Sequence, residues 1–247
     1  MRVAAVQFAP IFKDLEHNLG LMRTLALKAS KEKAELIVFP EMATAGYSFS
    51  FVEEARPFSE ALLSGGGLAP SLEHMKALSA ETGAAIAWGL IEAEGEKLFN
   101  SQCLVLPNGT YATYRKRNRW GSDFWWASPG DESPTIVEWQ GRKIGLLICR
   151  DIRDESDVSS EIYEPGDADI VAFSANFGNG PVPAVSWVEF AMSNQTTLVV
   201  ANRYGEEFGN EIYNNFGKGG VCVIRPDGTC GRDGLVLEAP CFVLAEV

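Results

Sequence analysis

The stretch that most constrains this chain runs from Arg142 to Glu155, RKIGLLICRDIRDE. Within it, Ile144–Ile148 is an apolar run broken only by Gly145, with the length and branched content of a strand buried on both faces. Such a strand belongs to an α/β sheet covered on either side. The run ends on Cys149 and turns polar at once, through Arg150, Asp151, Arg153, Asp154 and Glu155. A thiol at the carboxyl end of a buried strand lies where open α/β sheets bind ligands. A helix beginning near Asp154 would turn its N-terminal dipole toward a thiolate. The plain alternative is a small buried core residue.

Two further stretches share the design. Glu35–Phe39 is an apolar strand ending at Pro40-Glu41, and Thr110–Lys116 is a strand that delivers Lys116. Strand ends are rigid places for reacting groups, and a carboxylate, an ammonium and a thiol meeting at one sheet edge make a coherent set. A thiolate attacks an electrophilic carbon. A carboxylate whose pKa is raised by burial takes the thiol proton and later activates water. An ammonium holds the thiolate and stabilises the oxyanion formed on attack, with the Arg150 N–H as a second candidate donor. Taken singly, Glu41 reads as a turn carboxylate and Lys116 as a solvated charge in Arg115-Lys116-Arg117. Their co-occurrence carries the argument.

Along the chain, strands are expected at Val3–Phe8, Glu35–Phe39, Ala84–Ile91, Leu98–Leu106, Thr110–Lys116, Thr135–Trp139, Lys143–Ile148, Asp169–Ser174 and Leu198–Ala201. Val221–Ile224 and Phe242–Val247 read as strands around the turn Pro226-Asp227-Gly228. Helices are expected at Asp14–Lys31, Glu53–Leu63, Leu68–Thr82 with Gly83 as C-cap, Glu155–Tyr163 and Val185–Gln195. Pro107-Asn108-Gly109 is a hairpin turn, and 117–134 reads as irregular and aromatic-rich. No low-complexity tract or linker divides the chain, so residues 1–247 read as one domain. The N-terminal half and the Cys149 half are alike in layout, without matching residue for residue.

The formal charge of −12 argues against a nucleic-acid partner, since nothing would neutralise phosphates. No apolar stretch approaches transmembrane length, and the opening MRVAAVQFAP lacks a signal peptide's apolar core and cleavage site. Five cysteines at irregular spacing, without a CxxC, suggest neither a disulfide framework nor a zinc site. The default address is the cytoplasm. His17 and His74 read as surface residues, which leaves few candidates for a histidine-based nucleophile pair.

The stretches FPEMATAGY, YRKRN and GLLICRD resemble, in order and separation, the three signatures of the nitrilase or carbon–nitrogen hydrolase superfamily. VAAVQFAP, FNSQCLVLPNG, SPGD and LVVANRYGEE match in addition, so the resemblance covers essentially the whole chain. It implies a four-layer α-β-β-α sandwich and a thiol-acylating hydrolase of non-peptide C–N bonds that uses no metal or cofactor. It assigns Glu41 as general base, Lys116 as oxyanion stabiliser and Cys149 as nucleophile. It also implies a homodimer or larger homo-oligomer. An amidase acting on a small carboxamide is the leading expectation. A nitrilase, an N-carbamoyl amine hydrolase and an inactive interaction protein on the same fold are the alternatives.

The chain departs from the family pattern in places. Asp123 stands where many members carry a second glutamate, Asn118 where histidine is common, Arg150 where an aromatic is common, and Ser193 where an acidic residue is usual. Trp120, Phe124, Trp125 and Trp126 either wall the pocket or pack the loop or an oligomer interface. Arg150 or Arg153 either binds a substrate carboxylate or pairs internally with Asp151, Asp154 or Glu155. Tyr47 and Asn176 are further candidates for the pocket wall.

Overall fold

The computed structural model describes residues 1–62, 69–133, 135–152, 166–178, 180–231 and 238–247. Strand β1 (Arg2–Gln7) leads into α1 (Leu15–Lys31). Asp14 caps this helix by accepting the His17 N–H at 3.0 Å, and Lys28 and Lys31 complement its C-terminal dipole. Next come β2 (Leu36–Val38), α2 (Val52–Ala55), β3 (Ser59–Glu60) and α3 (Pro70–Thr82). α3 has proline in its first turn and ends on Gly83 at φ 71°. β4 (Ala85–Glu94), β5 (Lys97–Val105) and β6 (Tyr111–Arg115) form an antiparallel ladder. The short α4 (Asp123–Trp126) precedes β7 (Ile136–Trp139), β8 (Arg142–Ile148), β9 (Ile170–Ala175), α5 (Val185–Ser193) and β10 (Thr197–Asn202). Two hairpins follow, β11 (Glu206–Phe208) with β12 (Tyr213–Asn215) and β13 (Cys222–Ile224) with β14 (Cys230–Gly231), and then β15 (Cys241–Glu246).

The first sheet has the order β15-β1-β2-β4-β5-β6, with β3 also on β4, and the second β14-β13-β10-β9-β8-β7. Each carries three adjacent parallel strands, β1-β2-β4 in one and β8-β9-β10 in the other. Each is flanked by two antiparallel strands on one side and one on the other. The likeness of layout between the halves is therefore a property of the fold. β15 fills for the first sheet the place that β7 fills for the second.

Side-chain alternation sets the layers. Val3 and Ala5 of β1 and Leu36 and Val38 of β2 face a core shared with Leu146, Ile148, Val199 and Ala201 of the second sheet. Their neighbours Ala4, Val6 and Ile37 face Met22 and Leu25 of α1 and Met75 and Leu78 of α3. α5 covers the second sheet with Trp187 and Ala191. The result is the four-layer α-β-β-α sandwich. Complete burial of a Leu, Ile or Phe side chain contributes about 1.5–3 kcal/mol, against about 0–1 kcal/mol for an exposed ion pair such as Arg23–Glu81. The apolar layers hold the sheets together.

Several expectations need correction. The helix expected over Glu53–Leu63 stops at Ala55. Pro57 cannot donate to a helical hydrogen bond, and the chain passes through a 3₁₀ turn (Arg56–Phe58) into β3. The turn at Pro226–Gly228 joins β13 to β14, whereas β15 crosses to the first sheet and pairs antiparallel with β1. The 117–134 stretch contains α4, α5 ends at Ser193, and the β11–β12 hairpin was not anticipated. His17 is exposed, but His74 is half-buried, and burial lowers its pKa. Arg153, Asp154, Glu155 and the helix expected at Glu155–Tyr163 lie outside the described residues. No helix among the described residues is long and apolar enough to cross a membrane.

Candidate active site

Glu41 follows the end of β2, where the chain runs on along β4. The Phe39 N–H donates to the Ala87 carbonyl at 2.8 Å and the Gly89 N–H to the Pro40 carbonyl at 3.2 Å. This close approach requires glycine at 89, because a Cβ there would lie 2.3 Å from the Met42 nitrogen and 2.7 Å from the Glu41 Cα. Lys116 directly follows β6. Its N–H donates to the Asn100 carbonyl at 2.8 Å and its own carbonyl accepts from the Gly130 N–H at 2.9 Å, so the backbone is held from both sides.

Cys149 directly follows β8 and opens a 3₁₀ turn, Cys149–Asp151, with φ at 42°. A non-glycine residue in this region is uncommon and costs energy that surrounding contacts must offset. Asp151 supplies them. Its Oδ2 accepts from the Ile148 N–H at 3.0 Å and the Tyr114 hydroxyl at 2.9 Å, and its Oδ1 accepts from the Asn118 N–H at 3.1 Å. Burial pushes the Asp151 carboxyl up to about 6, against the pull of the Asn118 N–H, Lys116 and its other donors.

The charged groups form one buried cluster. The Lys116 Nζ donates to Glu41 Oε1 at 2.7 Å and to Asp123 Oδ2 at 2.6 Å. The Asn100 Nδ2 donates to Glu41 Oε1 at 2.7 Å and to Asp123 Oδ1 at 3.0 Å, and the Trp120 N–H donates to Asp123 Oδ2 at 3.0 Å. Glu41, Lys116 and Asp123 are each at most 1% exposed. Burial disfavours the Lys116 ammonium, but Asp123 and Glu41 outweigh it and hold its pKa well above the ordinary lysine value. Burial raises the Glu41 pKa, Lys116 opposes the rise, and Asp123 adds to it. The Cys149 thiol is pushed up by burial and by Glu41, while Lys116 and the Asn176 backbone N–H pull the other way. The cluster thus favours a neutral thiol at rest beside a carboxylate with raised proton affinity. Glu41 Oε2 is buried and accepts no hydrogen bond among the described residues.

Glu41 and Cys149 line one cavity of about 530 Å³, together with Tyr47, Trp120, Arg150, Asn176 and the 213–216 segment. The Tyr47 hydroxyl donates to the Trp120 carbonyl, and burial raises its pKa well above the usual phenol value. Oriented to satisfy its neighbours, the Asn176 amide donates to the Glu41 carbonyl at 3.1 Å. Arg150 stacks over Trp120, 4.6 Å from the ring centroid. The aromatic run divides. Trp120 walls the cavity, Phe124 and Trp125 are exposed, and Trp126 is buried against Phe49. Neither Lys116 nor Asp123 is part of the cavity wall, and Lys116 reaches it through the Glu41 carboxylate.

Sequence reasoning missed Asn100, Asp151, and the pair Arg203–Glu207. Glu207 Oε1 accepts the N–H groups of Tyr47 and Ser48 at 2.7 Å each, and its Oε2 accepts from the buried Arg203 guanidinium at 2.7 Å. Both residues lie in LVVANRYGEE, and Asn100 lies in FNSQ, so the stretches were visible while the individual side chains were not.

A family model described as carbon-nitrogen hydrolase matches residues 2–229. The chain is 30% identical over 241 residues to an (R)-stereoselective amidase of a Pseudomonas species, covering 94% of this chain and 82% of that protein. It is 29% identical over 209 residues to a nitrilase of Pyrococcus abyssi, covering 85% and 77% respectively. Among solved structures, an amidase from Nesterenkonia sp. AN1 superposes with a TM-score of 0.80 at 23% identity, over 100% of this chain and 93% of that one. In that structure acrylamide has undergone Michael addition at the active site cysteine.

Proposed function

Because the chain belongs to the carbon–nitrogen hydrolase family, we propose that it hydrolyses a small carboxamide to the acid and ammonia through a thioester on Cys149. Residues 1–247 would form one catalytic domain. The observation that carries this reading is the Glu41 Oε2, unpartnered among the described residues, in a carboxylate that lines one cavity with Cys149 and is bonded through Oε1 to Lys116. The Cys149 sulfur attacks the amide carbon while its proton passes to Glu41. Negative charge develops on the former carbonyl oxygen, beside the Lys116 ammonium and the Arg150 N–H. Collapse of this intermediate breaks the C–N bond, and Glu41 returns the proton to the departing ammonia. Water then enters, Glu41 takes its proton, and hydroxide attacks the thioester. The acid leaves and the thiol is restored. Asp123 and Asn100 act as positioning groups that hold Lys116 and Glu41.

The (R)-stereoselective amidase, matched over 94% of this chain, supports an amide. A nitrile would meet the same three groups, and the nitrilase relative supports that second reading. The test is intact-protein mass spectrometry after brief incubation with matched amides and nitriles, together with ammonia release. We expect an acyl adduct on the wild type with amides and none on Cys149→Ala. No adduct and no ammonia from any amide would overturn the proposal.

A further inference from the structure

A second cavity, of about 270 Å³, lies beside Cys149. Its wall comprises Ile152, Phe177, Pro181, Ala184, Val185 and Trp187, with Ser186, and it shares Cys149, Arg150 and Phe177 with the larger cavity. Cys149 therefore stands at the junction of two chambers of different character. Glu41, Tyr47, Asn176 and Asn214 line only the larger one. Apart from the shared Arg150, no charged side chain among the described residues lines the smaller one.

We propose that the smaller chamber is the acyl-group subsite, and that the preferred substrates are carboxamides with an apolar alkyl or aryl group. This rests on the amidase reading above. The planar amide carbon carries three substituents. The nitrogen must take its proton from Glu41, which places it on the larger chamber's side. The oxygen must face Lys116, whose ammonium is bonded to that same Glu41. The remaining direction belongs to the acyl group, and the chamber that contains Cys149 but not Glu41 is the space left for it.

The chamber is preformed and has the right size. Trp187 is 2% exposed and packs edge-on against Phe177, with ring centroids 4.9 Å apart. The Phe177 backbone is fixed by Asn202, which accepts its N–H at 2.8 Å and donates to its carbonyl at 3.0 Å. An apolar cavity of about 150 Å³ is enough to hold benzene, so this chamber admits a phenyl ring with its linking methylene or a branched alkyl chain. Each buried methylene is expected to raise kcat/KM about fourfold.

The test measures kcat/KM for acetamide, propionamide, hexanamide and phenylacetamide on the wild type, Ala184→Leu and Ala184→Phe. Hexanamide should exceed propionamide by about sixty-fold in the wild type, from three added methylenes. The ratio of hexanamide to acetamide should fall in Ala184→Leu and collapse by more than tenfold in Ala184→Phe. Melting curves verify that both variants fold, and the smaller leucine change keeps the test open if the larger one does not. Wild-type turnover of acetamide without any gain from chain length would overturn the subsite, as would a gain that survives both substitutions. Absence of ammonia and of adduct with every amide would instead overturn the amidase reading, and the subsite with it.

Discussion

Replacing Lys116 with methionine keeps the unbranched apolar stem of the side chain and removes its terminal ammonium. The wild-type ammonium sits between Glu41 Oε1 at 2.7 Å and Asp123 Oδ2 at 2.6 Å, with about 1% exposure. Its loss leaves two buried carboxylates linked, among the described residues, by the Asn100 amide, which donates to both. Removing one partner of a buried pair costs about 3–5 kcal/mol. For a domain of this size that lowers Tm by about 6–20 °C. The loss should depend on pH in a definite direction. Glu41 already has a folded pKa above its ordinary 4.5 because of burial, with Asp123 adding to the rise and Lys116 opposing it. Without Lys116 it rises further. A carboxylate with a raised folded pKa contributes stability that is complete below 4.5 and is lost as pH rises through the folded value. Lys116, held well above 10.5, stays charged in the wild type throughout this range. The Tm gap between wild type and Lys116→Met should therefore be small near pH 4.5 and widen toward pH 8. In the same variant kcat should fall by about 10²–10³, as when an oxyanion donor is removed. Differential scanning calorimetry across pH, with ammonia release at pH 7.5, reads both. A gap that does not change with pH would refute the electrostatic argument, and wild-type kcat would refute the role given to Lys116.

Asp151→Asn removes a buried carboxyl whose pKa is pushed up to about 6 from 3.8. A raised folded value adds stability as pH falls through about 6 toward 3.8, by about 3 kcal/mol in all. The wild type should therefore gain on the variant between pH 7 and pH 4, and urea unfolding at the two pH values measures it. Gly89→Ala drives a Cβ to 2.3 Å from the Met42 nitrogen. Overpacking of this kind costs about 1–3 kcal/mol. Because the displaced backbone carries Glu41, kcat should fall more than tenfold, and equal Tm and kcat in the two proteins would show that Gly89 does not set the position of Glu41.

The sandwich was legible wherever apolar period and turn chemistry agreed. β4, β5, β6, β8 and β9 lie where their apolar runs fall, within a few residues at each end. It was illegible where one residue or one distant partner decided the outcome. Pro57 cut the helix expected after Glu53. β15 pairs with β1, and no local pattern says which strand more than two hundred positions away will accept an edge. The place of Asn100 follows from the hairpin register. A hairpin turning about Pro107-Asn108-Gly109 pairs Ser101 with Arg115, so Asn100 necessarily lies opposite Lys116. Asp151 read as a charge for Arg150 or Arg153, because its three donors, two backbone N–H groups and the Tyr114 hydroxyl, leave no trace in a charge pattern.

Asp123 is the second carboxylate bonded to the Lys116 ammonium. The carboxylate begins α4 and is fully buried. Oδ2 accepts from both Lys116 and the Trp120 N–H, and Oδ1 accepts from Asn100. In the proposed cycle Asp123 therefore acts on the substrate only through the charge and position of Lys116. In that cycle the task of accepting protons from thiol and water falls to Glu41, whose Oε1 is taken and whose Oε2 has no partner among the described residues. The balance is consistent: one ammonium shared by two carboxylates keeps Lys116 charged, and the carboxylate that retains a free oxygen is the one beside Cys149.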